Sequence, residues 1–438
     1  MIQSSYISHH CPRCGGEVIF DEKATGVQCR YCGAELVVLG GGSAWLNFLI
    51  KPQIPVKETG HAVTKIAQKS GWKPPLLRSV IPFYLPFYRV TGQAIKWIKG
   101  EKKDERNPLG RIIEEVKTRH FDLMRPAHTD LSAGLFSPGI RAQTLHLFLA
   151  TRDNAENVPF LPIQEKKDDF REGITHSTTE GLDAAGVRIL DEKTFLVWEK
   201  YSILYFPLSL VEVREGERIR LLLLDSVSGK LVRQIGHEEM ENLLDNLGIG
   251  GSKSPGEGRL KLTPLICPEC AGDLDTSTTA IVRFCVRCGK GWESRGSRLK
   301  ERECLWAGTE VMTRQEGTIF LPFWRRDSGE QSWLVPAFGI RSPHLLYNLS
   351  RRYYQARFPA ESIPYNCRLR IRSLSAELPA EEADEMMEVV AHTDGREAAQ
   401  TKGTRQSLVL VPFRRSGTDL VDQYHGLAVP TGSLEAEL

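Results

Sequence analysis

The chain has 438 residues, a length that predicts roughly two to four domains. Its composition, 41% hydrophobic and 26% charged, is typical of a soluble globular protein, and no apolar run approaches the roughly eighteen residues of a membrane span. The net charge of +2 gives no global argument for binding nucleic acid or an anionic membrane. A soluble, cytoplasmic protein without a membrane span is therefore predicted.

Eight of the ten cysteines form two sets of paired Cys-x2-Cys motifs, and in each set fourteen residues separate the two pairs. The predicted metal ligands are Cys11, Cys14, Cys29 and Cys32 in the first set and Cys267, Cys270, Cys285 and Cys288 in the second. This spacing indicates two four-thiolate sites with one zinc ion each, two Zn²⁺ per chain. Four thiolates leave no position for water, so the sites are predicted to be structural and not catalytic.

Disulfides and a redox-active pair are the alternatives for these cysteines. The ten residues before Cys11 contain no apolar signal-peptide core, which argues against disulfides. A redox motif would need a βαβ context, which the sequence does not indicate. In a zinc ribbon, residues 17–20 and 25–28 would be the two strands of a hairpin between the cysteine pairs. Glycines after each pair allow the tight turns, and four arginines offset the charge of the thiolates: Arg13, Arg30, Arg283 and Arg287.

The first half of the chain mixes strand and helix signals. The patterns predict a helix over residues 56–72, with Val63, Ile66 and Ala67 buried, and a strand over 81–90. Next come a charged, exposed linker over 98–107 and a second helix over 111–124. The remaining predictions of this half are a looped or weakly helical segment at 164–185, a strand at 201–213, a hairpin at 220–232, a helix at 237–247 and a linker at 248–258.

Several short sequence motifs, here called landmarks, occur in both halves of the chain in the same order. The paired landmarks are LPFYR at 85–89 and LPFWR at 321–325, GIR at 139–141 and 339–341, a proline-centred triplet at 206–208 and 411–413, and Asp225 and Asp422. We interpret them as an internal duplication with a boundary near residue 255, in which the second half lacks a counterpart of the helix at 111–124. Further predictions are a helix at 343–357, a strand at 368–372, and an acidic helix at 379–390 that buries Ala383, Met386, Met387 and Val390.

The predicted fold is α+β with two homologous halves, each a four-cysteine zinc ribbon attached to a small antiparallel sheet with helices. The predicted domains are ribbon 1 (1–38), α+β domain 1 (39–247), a linker (248–260), ribbon 2 (261–294) and α+β domain 2 (295–438). Because the linker separates the halves, replacing Cys14 is expected to loosen ribbon 1 and leave the second half folded.

Two groups of residues outside the cysteine sets have both a functional and a structural interpretation. The strands at 85–89 and 321–325 are either aromatic and arginine surfaces for stacking bases or core strands, and the flanking apolar residues favour the core. Arg368, Arg370 and Arg372 alternate along one strand face, where they either contact phosphates or an acidic partner or are simply solvated. Asp225 and Asp422 fit turn positions better than acid–base catalysis.

The sequence around the first cysteine set, CPRCGG at 11–16 and CRYCGAEL at 29–36, resembles the zinc ribbons of general transcription factors and primosomal helicases. A broader resemblance connects the ribbon with IKP, LPFYR, GIRAQTL, YSILYFPLSL and LLDSVSGKLV, and it is to a group of uncharacterised bacterial zinc-ribbon proteins. This resemblance implies a zinc-stabilised module and no particular activity. Helicase motifs are absent, so the resemblance to helicases is limited to the ribbon.

The sequence as a whole predicts a non-enzymatic, zinc-stabilised binding or scaffold protein whose partner is another protein. The alternative is a nucleic-acid-binding protein, associated with replication or transcription, that uses the ribbons and the exposed arginines. No phosphate-binding glycine loop, serine-nucleophile motif or metalloprotease motif is present in the sequence, and no small-molecule substrate is evident.

Overall fold

The computed structural model describes residues 5–40, 45–104, 107–129, 146–179, 181–182, 184–250, 260–285, 287–328, 331–354, 356, 358–363, 371–395 and 406–435. The fold is α+β, and strands predominate. In the first half the elements are β1 Tyr6–His10, β2 Glu17–Asp21, β3 Gly26–Gln28, β4 Glu35–Leu39, β5 Leu46–Leu49, α1 Thr59–Ser70, β6 Leu76–Asp104, β7 Asn107–Pro126, β8 His146–Leu149, α2 Lys167–Thr179, β9 Val187–Glu215, β10 Arg218–Asp225, β11 Leu231–Ile235 and α3 His237–Gly250.

In the second half the elements are β12 Lys261–Pro264, β13 Val282–Phe284, β14 Gly291–Arg295, β15 Arg298–Arg302, β16 Cys304–Trp306, β17 Thr318–Ser328, β18 Gln331–Pro336, α4 Pro343–Arg352, β19 Glu361–Ser362, α5 Ala380–Thr393, β20 Gln406–Ser416, β21 Asp419–Asp422 and β22 Ala428–Pro430. The predicted helices at 56–72, 237–247 and 379–390 are confirmed. The weakly helical segment at 164–185 contains α2, and the helix predicted at 343–357 ends at Arg352.

Strand β9 is the centre of the first large sheet. It pairs antiparallel with β6 along one side, and on the other side it pairs first with β5, in parallel, and then with β10. Successive residues of β9 alternate between two cores: Leu204 and Phe206 face one, and Ile203 and Tyr205 face the other. Beyond β5 the sheet continues through β8 to β1, so the first cysteine hairpin is part of it.

The prediction of a helix at 111–124 is wrong, because these residues belong to β7. Strand β7 pairs with β6 from Pro126 opposite Phe87 to Arg111 opposite Lys102. Apolar residues at helical spacing suggested one buried stripe, but Ile112 is 59% exposed. In the strand, the apolar residues are divided between the two faces, and the pairing with β6 decides the structure. The predicted linker at 98–107 is also wrong over its described part, since β6 extends to Asp104.

Strand β20 is the centre of the second large sheet, and its neighbours follow the order seen around β9. Strand β17 pairs antiparallel along one side of β20, and the other side is taken by β16, in parallel, and then by β21. The register of β6 against β9 also corresponds to that of β17 against β20. Leu85 lies opposite Phe206, Leu321 lies opposite Val411, and both partners directly precede a proline. The 85–89 and 321–325 strands therefore hold equivalent places in the two sheets.

The proline of each LPF strand lies just past the end of a ladder. Strand β7 stops at Pro126, opposite Phe87, and the Ala127 N–H donates to the Pro86 carbonyl at 2.8 Å. A proline is tolerated there because no ladder donor is required of it. The second sheet repeats this arrangement. Strand β18 stops at Pro336, opposite Phe323, and the Ala337 N–H donates to the Pro322 carbonyl at 2.9 Å. Strand β18 thus holds the place of β7, which corrects the expectation that the segment at 111–124 has no counterpart.

Asp225 and Asp422 occupy the same hairpin turn in the two sheets. The carboxylate of Asp225 accepts the backbone N–H groups of Val227 at 2.7 Å and Ser228 at 3.2 Å. The carboxylate of Asp422 accepts N–H groups from the residues at the same offsets, Tyr424 at 3.0 Å and His425 at 2.6 Å. These carboxylates close turns, as the structural interpretation of the sequence predicted.

The two halves share a core near the middle of β9, around Val197 and Trp198. Trp198 adopts a left-handed conformation, with φ of 59°, where the β6–β9 register shifts by one residue. Its backbone N–H donates to Glu385 Oε2 at 2.6 Å, and its indole Nε1–H donates to the Glu382 carbonyl of α5 at 3.0 Å. Ile95 of β6 and Val197 belong to the same buried cluster as residues of α5 and β17. The predicted domain boundaries stay predictions, and most of the linker at 248–258 lies outside the described residues.

Candidate metal centres

Each Cys-x2-Cys pair of ribbon 1 forms the turn of its own hairpin. Cys11 and Cys14 lie between β1 and β2, which pair from His10 opposite Glu17, and the second pair lies between β3 and β4. Residues 17–20 and 25–28 had been expected to pair with each other, and this prediction is wrong. A Cys-x2-Cys turn reverses the chain, so each pair folds its own two flanking strands together.

The cysteine sulfurs of each set converge to the spacing of a tetrahedral metal site. Sγ–Sγ distances between the two cysteine pairs of a set are 3.8 Å and 3.7 Å in ribbon 1 and 3.6 Å and 3.5 Å in ribbon 2. All four Sγ atoms of a set lie within 4.8 Å of one another. A zinc ion with Zn–S bonds of about 2.3 Å requires sulfurs about 3.8 Å apart. Each set can therefore hold one zinc ion, as predicted, and none of the nine described cysteines is in a disulfide.

All four cysteine turns close in the same way. The Cys11 N–H donates to the Gly16 carbonyl at 2.8 Å, and the Gly15 N–H donates back to the Cys11 carbonyl at 2.9 Å. The residue that follows the second cysteine is left-handed in every turn, with φ of 73° at Gly15. In one turn of ribbon 2 this residue is Ala271, with φ of 54°, and not a glycine. Gly272, which the sequence suggested for this role, is the next residue.

Ala271→Gly is expected to stabilise ribbon 2 by about 1 kcal/mol, because left-handed backbone costs an alanine about 1–2 kcal/mol and the greater unfolded-state freedom of glycine offsets part of the gain. The measurement is the chelator concentration that releases zinc from site 2. Gly289→Ala, at the same position of the neighbouring turn, is the matched control and is expected to have the opposite effect. A loss of stability in Ala271→Gly would contradict the prediction.

The thiols within each set are unequal. Backbone N–H groups of Cys32 and Tyr31 lower the pKa of Cys29 to about 6. Burial raises the pKa of Cys288 to about 12, and hydrogen bonds from the neighbouring thiols add to this shift. Four sulfurs at this separation cannot all ionise without a cation between them, so binding of a divalent metal is what converts the whole set to thiolates.

The four ribbon arginines do not act as one group. Arg13 and Arg30 are exposed, and the Arg30 guanidinium lies 5.2 Å from the centre of the Tyr31 ring. Arg287 is exposed and donates to the Cys270 carbonyl at 3.3 Å. Arg283 is fully buried and reaches ribbon 1, where it donates to Thr25 Oγ1 at 3.1 Å. Burial lowers the pKa of Arg283 to about 10.

The two ribbons are joined by a shared three-stranded sheet with the order β12–β4–β3. Strand β12, which leads into ribbon 2, pairs antiparallel with β4 of ribbon 1. The ladder continues for one residue beyond the strands, where the Leu265 N–H donates to the Glu35 carbonyl at 3.0 Å. A separate contact is made by the Gly40 N–H, which donates to the carbonyl of Gly296, in the turn between β14 and β15, at 2.6 Å. The expectation that ribbon 1 can loosen without affecting the second half is therefore not supported by these contacts.

The aromatic–arginine strands lie in the cores. In residues 85–89, Leu85 and Tyr88 are at most 1% exposed, and Arg89 is 3% exposed. Arg89 binds Asp122 at 2.9 Å and Glu22 at 3.1 Å. The core interpretation of this strand is confirmed, and the base-stacking interpretation is wrong.

The predicted arginine face at 368–372 falls largely outside the described residues. Arg368 and Arg370 are not described. Arg372 is exposed, and its backbone carbonyl accepts the Phe320 N–H at 2.8 Å. A common face for the three arginines therefore stays a prediction.

No helix within the part of the chain that the structure describes is long and apolar enough to cross a membrane. Comparison with protein-family models, with curated proteins and with solved structures finds no match to this chain.

Proposed function

We propose that this chain is a non-enzymatic, zinc-stabilised binding or scaffold protein of the bacterial cytoplasm and that its partner is another protein. The observation that carries the proposal is the pair of four-sulfur clusters, in which every position of a tetrahedral zinc ion is taken by a cysteine. Metal held in this way stabilises a fold and offers no site for a substrate. The zinc-ribbon proteins that the sequence resembles are in keeping with this role.

An internal duplication is part of the proposal. The shared strand order, the register of the LPF strands and the equivalent aspartate turns support it. A duplicated sheet with a ribbon at the start of each copy is an arrangement in which one chain presents two related surfaces. The scaffold role follows from this arrangement.

The surface that best fits a protein partner is at the end of the β6–β7 hairpin. We define the arm tip as residues 99–104, 107–113 and 187–191. Three large apolar side chains are exposed there: Ile112 at 59%, Ile189 at 41% and Leu190 at 50%. Gly100 pairs with both Ile113 and Ile189, so the three strands run side by side at this end, and the alternation of side chains places Ile112 and Ile189 on opposite faces of the tip. Exposed apolar side chains gathered at one end of a sheet are typical of protein contacts.

The combined variant Ile112→Thr and Leu190→Thr is expected to weaken binding of the protein partner at least about tenfold, since each buried apolar side chain contributes on the order of 1.5 kcal/mol to an interface. The measurement is cross-linking of the purified protein in an extract of the source cells, followed by titration of the recovered partner. Leu76→Thr with Val311→Thr, exposed apolar positions elsewhere, is the matched control. Equal recovery with both pairs of variants would argue against the arm tip.

Nucleic-acid binding is the second candidate, and the exposed end of ribbon 1 favours it. Arg13, Arg30 and Tyr31 are exposed there, and neither arginine has a carboxylate partner among the described residues. An exposed tyrosine beside arginines that have no carboxylate partner can stack a base while the arginines contact phosphates. Tight, steeply salt-dependent binding of single-stranded DNA or RNA, lost in Arg30→Ala and in Arg370→Glu, would make this the better assignment.

A further inference from the structure

The strand that follows the first metal site is paired with the strand that precedes the second. Strand β4 begins three residues after Cys32, and β12 ends three residues before Cys267. In the ladder between them, Leu262 lies opposite Val38 and Thr263 lies opposite Val37. A change in the order of one cysteine turn is therefore transmitted to the other through a few residues of hydrogen-bonded strand.

A buried arginine makes a second connection. The guanidinium of Arg283 donates to the Ala280 carbonyl, to the Ser277 carbonyl at 2.9 Å and to Thr25 Oγ1 at 3.1 Å. The Thr25 hydroxyl in turn donates to the Ala280 carbonyl at 2.6 Å. A Cβ on Gly26 would lie 2.5 Å from Arg283 Nη2, so ribbon 1 has a glycine where the guanidinium passes. A buried guanidinium that lost this partner would be left poorly satisfied.

The ligands of site 2 also pack on ribbon 1. Val37 and Leu39 of β4 belong to one buried cluster with Cys267, Cys285 and Leu265. Val37 is fully buried and Leu39 is 4% exposed. The apolar environment of site 2 is therefore supplied partly by the strand that site 1 holds in place.

We propose that the two zinc sites are energetically coupled, so that zinc in site 1 (the ribbon 1 cysteines) raises the zinc affinity of site 2 (the ribbon 2 cysteines). Without zinc the β3–β4 hairpin loses the turn that joins its strands, and β4 no longer offers β12 an ordered edge. Coupling between binding sites is reciprocal, so zinc in site 2 raises the affinity of site 1 by the same factor. The inference concerns the metal centres alone and does not depend on the identity of the partner.

The first test removes site 1 with Cys14→Ser and Cys32→Ser and measures Co²⁺ binding at site 2 from the thiolate absorption, in competition with a chelator. Couplings between sites in proteins are typically about 5- to 150-fold, and we expect a weakening of site 2 in this range. The reciprocal variant, Cys270→Ser with Cys288→Ser, is expected to weaken site 1 by the same factor. Affinities within twofold of the wild type would overturn the proposal.

The second test keeps all eight ligands and therefore does not depend on the folding of the cysteine variants. Two equal and independent sites would give a binomial distribution of chains with zero, one and two zinc ions. Native mass spectrometry of the wild type at substoichiometric zinc is expected to show fewer one-zinc chains than this distribution predicts. Thr25→Val and Arg283→Met are expected to shift the distribution toward the binomial. Arg298→Met, which removes an exposed arginine at the start of β15, just beyond ribbon 2, is the matched control and is expected to leave the distribution unchanged. A wild-type distribution that is binomial, or richer in one-zinc chains, would overturn the proposal.

Discussion

Removal of zinc from the purified protein is expected to release two ions per chain and to unfold both ribbons. Structural zinc sites in isolated peptides have apparent binding energies of about 10–16 kcal/mol, which equals or exceeds the net stability of about 5–15 kcal/mol that is usual for a folded protein. Elemental analysis before and after chelation gives the stoichiometry. A preparation with intact thiols and only one metal ion, or none, would contradict the assignment of two zinc sites.

Hydrogen exchange of the zinc-free protein should show where the loss of structure ends. Cys11 and Cys29 belong to the same buried cluster as Phe83 and Leu85, so loss of zinc is expected to reduce protection in the first large sheet. The core of the second sheet, which includes Leu321 and Val411, has no cysteine ligand in its cluster. Protection of Leu321 and Val411 is therefore expected to persist, and it provides the internal control, whereas Trp324 of β17 and Leu408 of β20 share a buried cluster with Val282 of ribbon 2. Equal loss in both sheets would mean that the chain unfolds as one unit.

The metal centres were predictable because four sulfurs at fixed spacing have few other uses in a chain of this kind. The helices α1 and α5 were predictable for a different reason: each buries one stripe of apolar residues, such as Val63 and Ile66 in α1. The LPF strands were predictable as core because apolar residues flank the proline on both sides. In each case the information lies within a short stretch of sequence.

The misassigned helix at 111–124 shows where local information fails. Ile112 and Val116 have the spacing of a helix face, yet in β7 Val116 packs partly on a core and Ile112 is exposed. Strand β6 supplies the pairing that decides the outcome, and no local pattern in 111–124 reports it. The pairing of β12 with β4 is also hidden, because more than two hundred residues separate the strands. The same applies to Trp198, whose left-handed backbone donates its N–H to a carboxylate of α5.

Arg89→Leu is expected to lower the free energy of unfolding by about 3–5 kcal/mol, the usual effect of removing one partner of a buried ion pair. The Arg89 side chain is 4% exposed and binds both Asp122 and Glu22. Burial alone would lower the pKa of Arg89, but the hydrogen bonds and charges of these two carboxylates outweigh it and raise the pKa above its ordinary value. Without the arginine, two carboxylates are left without their cation in a partly buried site.

The equivalent residue of the second sheet is the control for this prediction. Arg325 holds the place of Arg89 in the LPF strand, but its side chain is 24% exposed and its partner Asp327 is 48% exposed. An ion pair this accessible to water contributes about 0–1 kcal/mol, so Arg325→Leu is expected to change stability little. Urea unfolding monitored by circular dichroism measures both variants. Similar losses in the two would contradict the argument from burial.

A compensated variant separates the loss of the ion pair from the loss of packing. Adding Asp122→Leu to Arg89→Leu removes one of the two carboxylates that Arg89 binds, and replacing buried ion pairs with apolar residues is often nearly neutral. We therefore expect the double variant to recover part of the stability lost in Arg89→Leu. Recovery would show that the arginine of the LPF motif is retained to neutralise the carboxylates between ribbon 1 and the sheet. If instead Arg89→Leu abolished nucleic-acid binding at unchanged stability, the motif would be a contact surface and its placement in the core would be wrong.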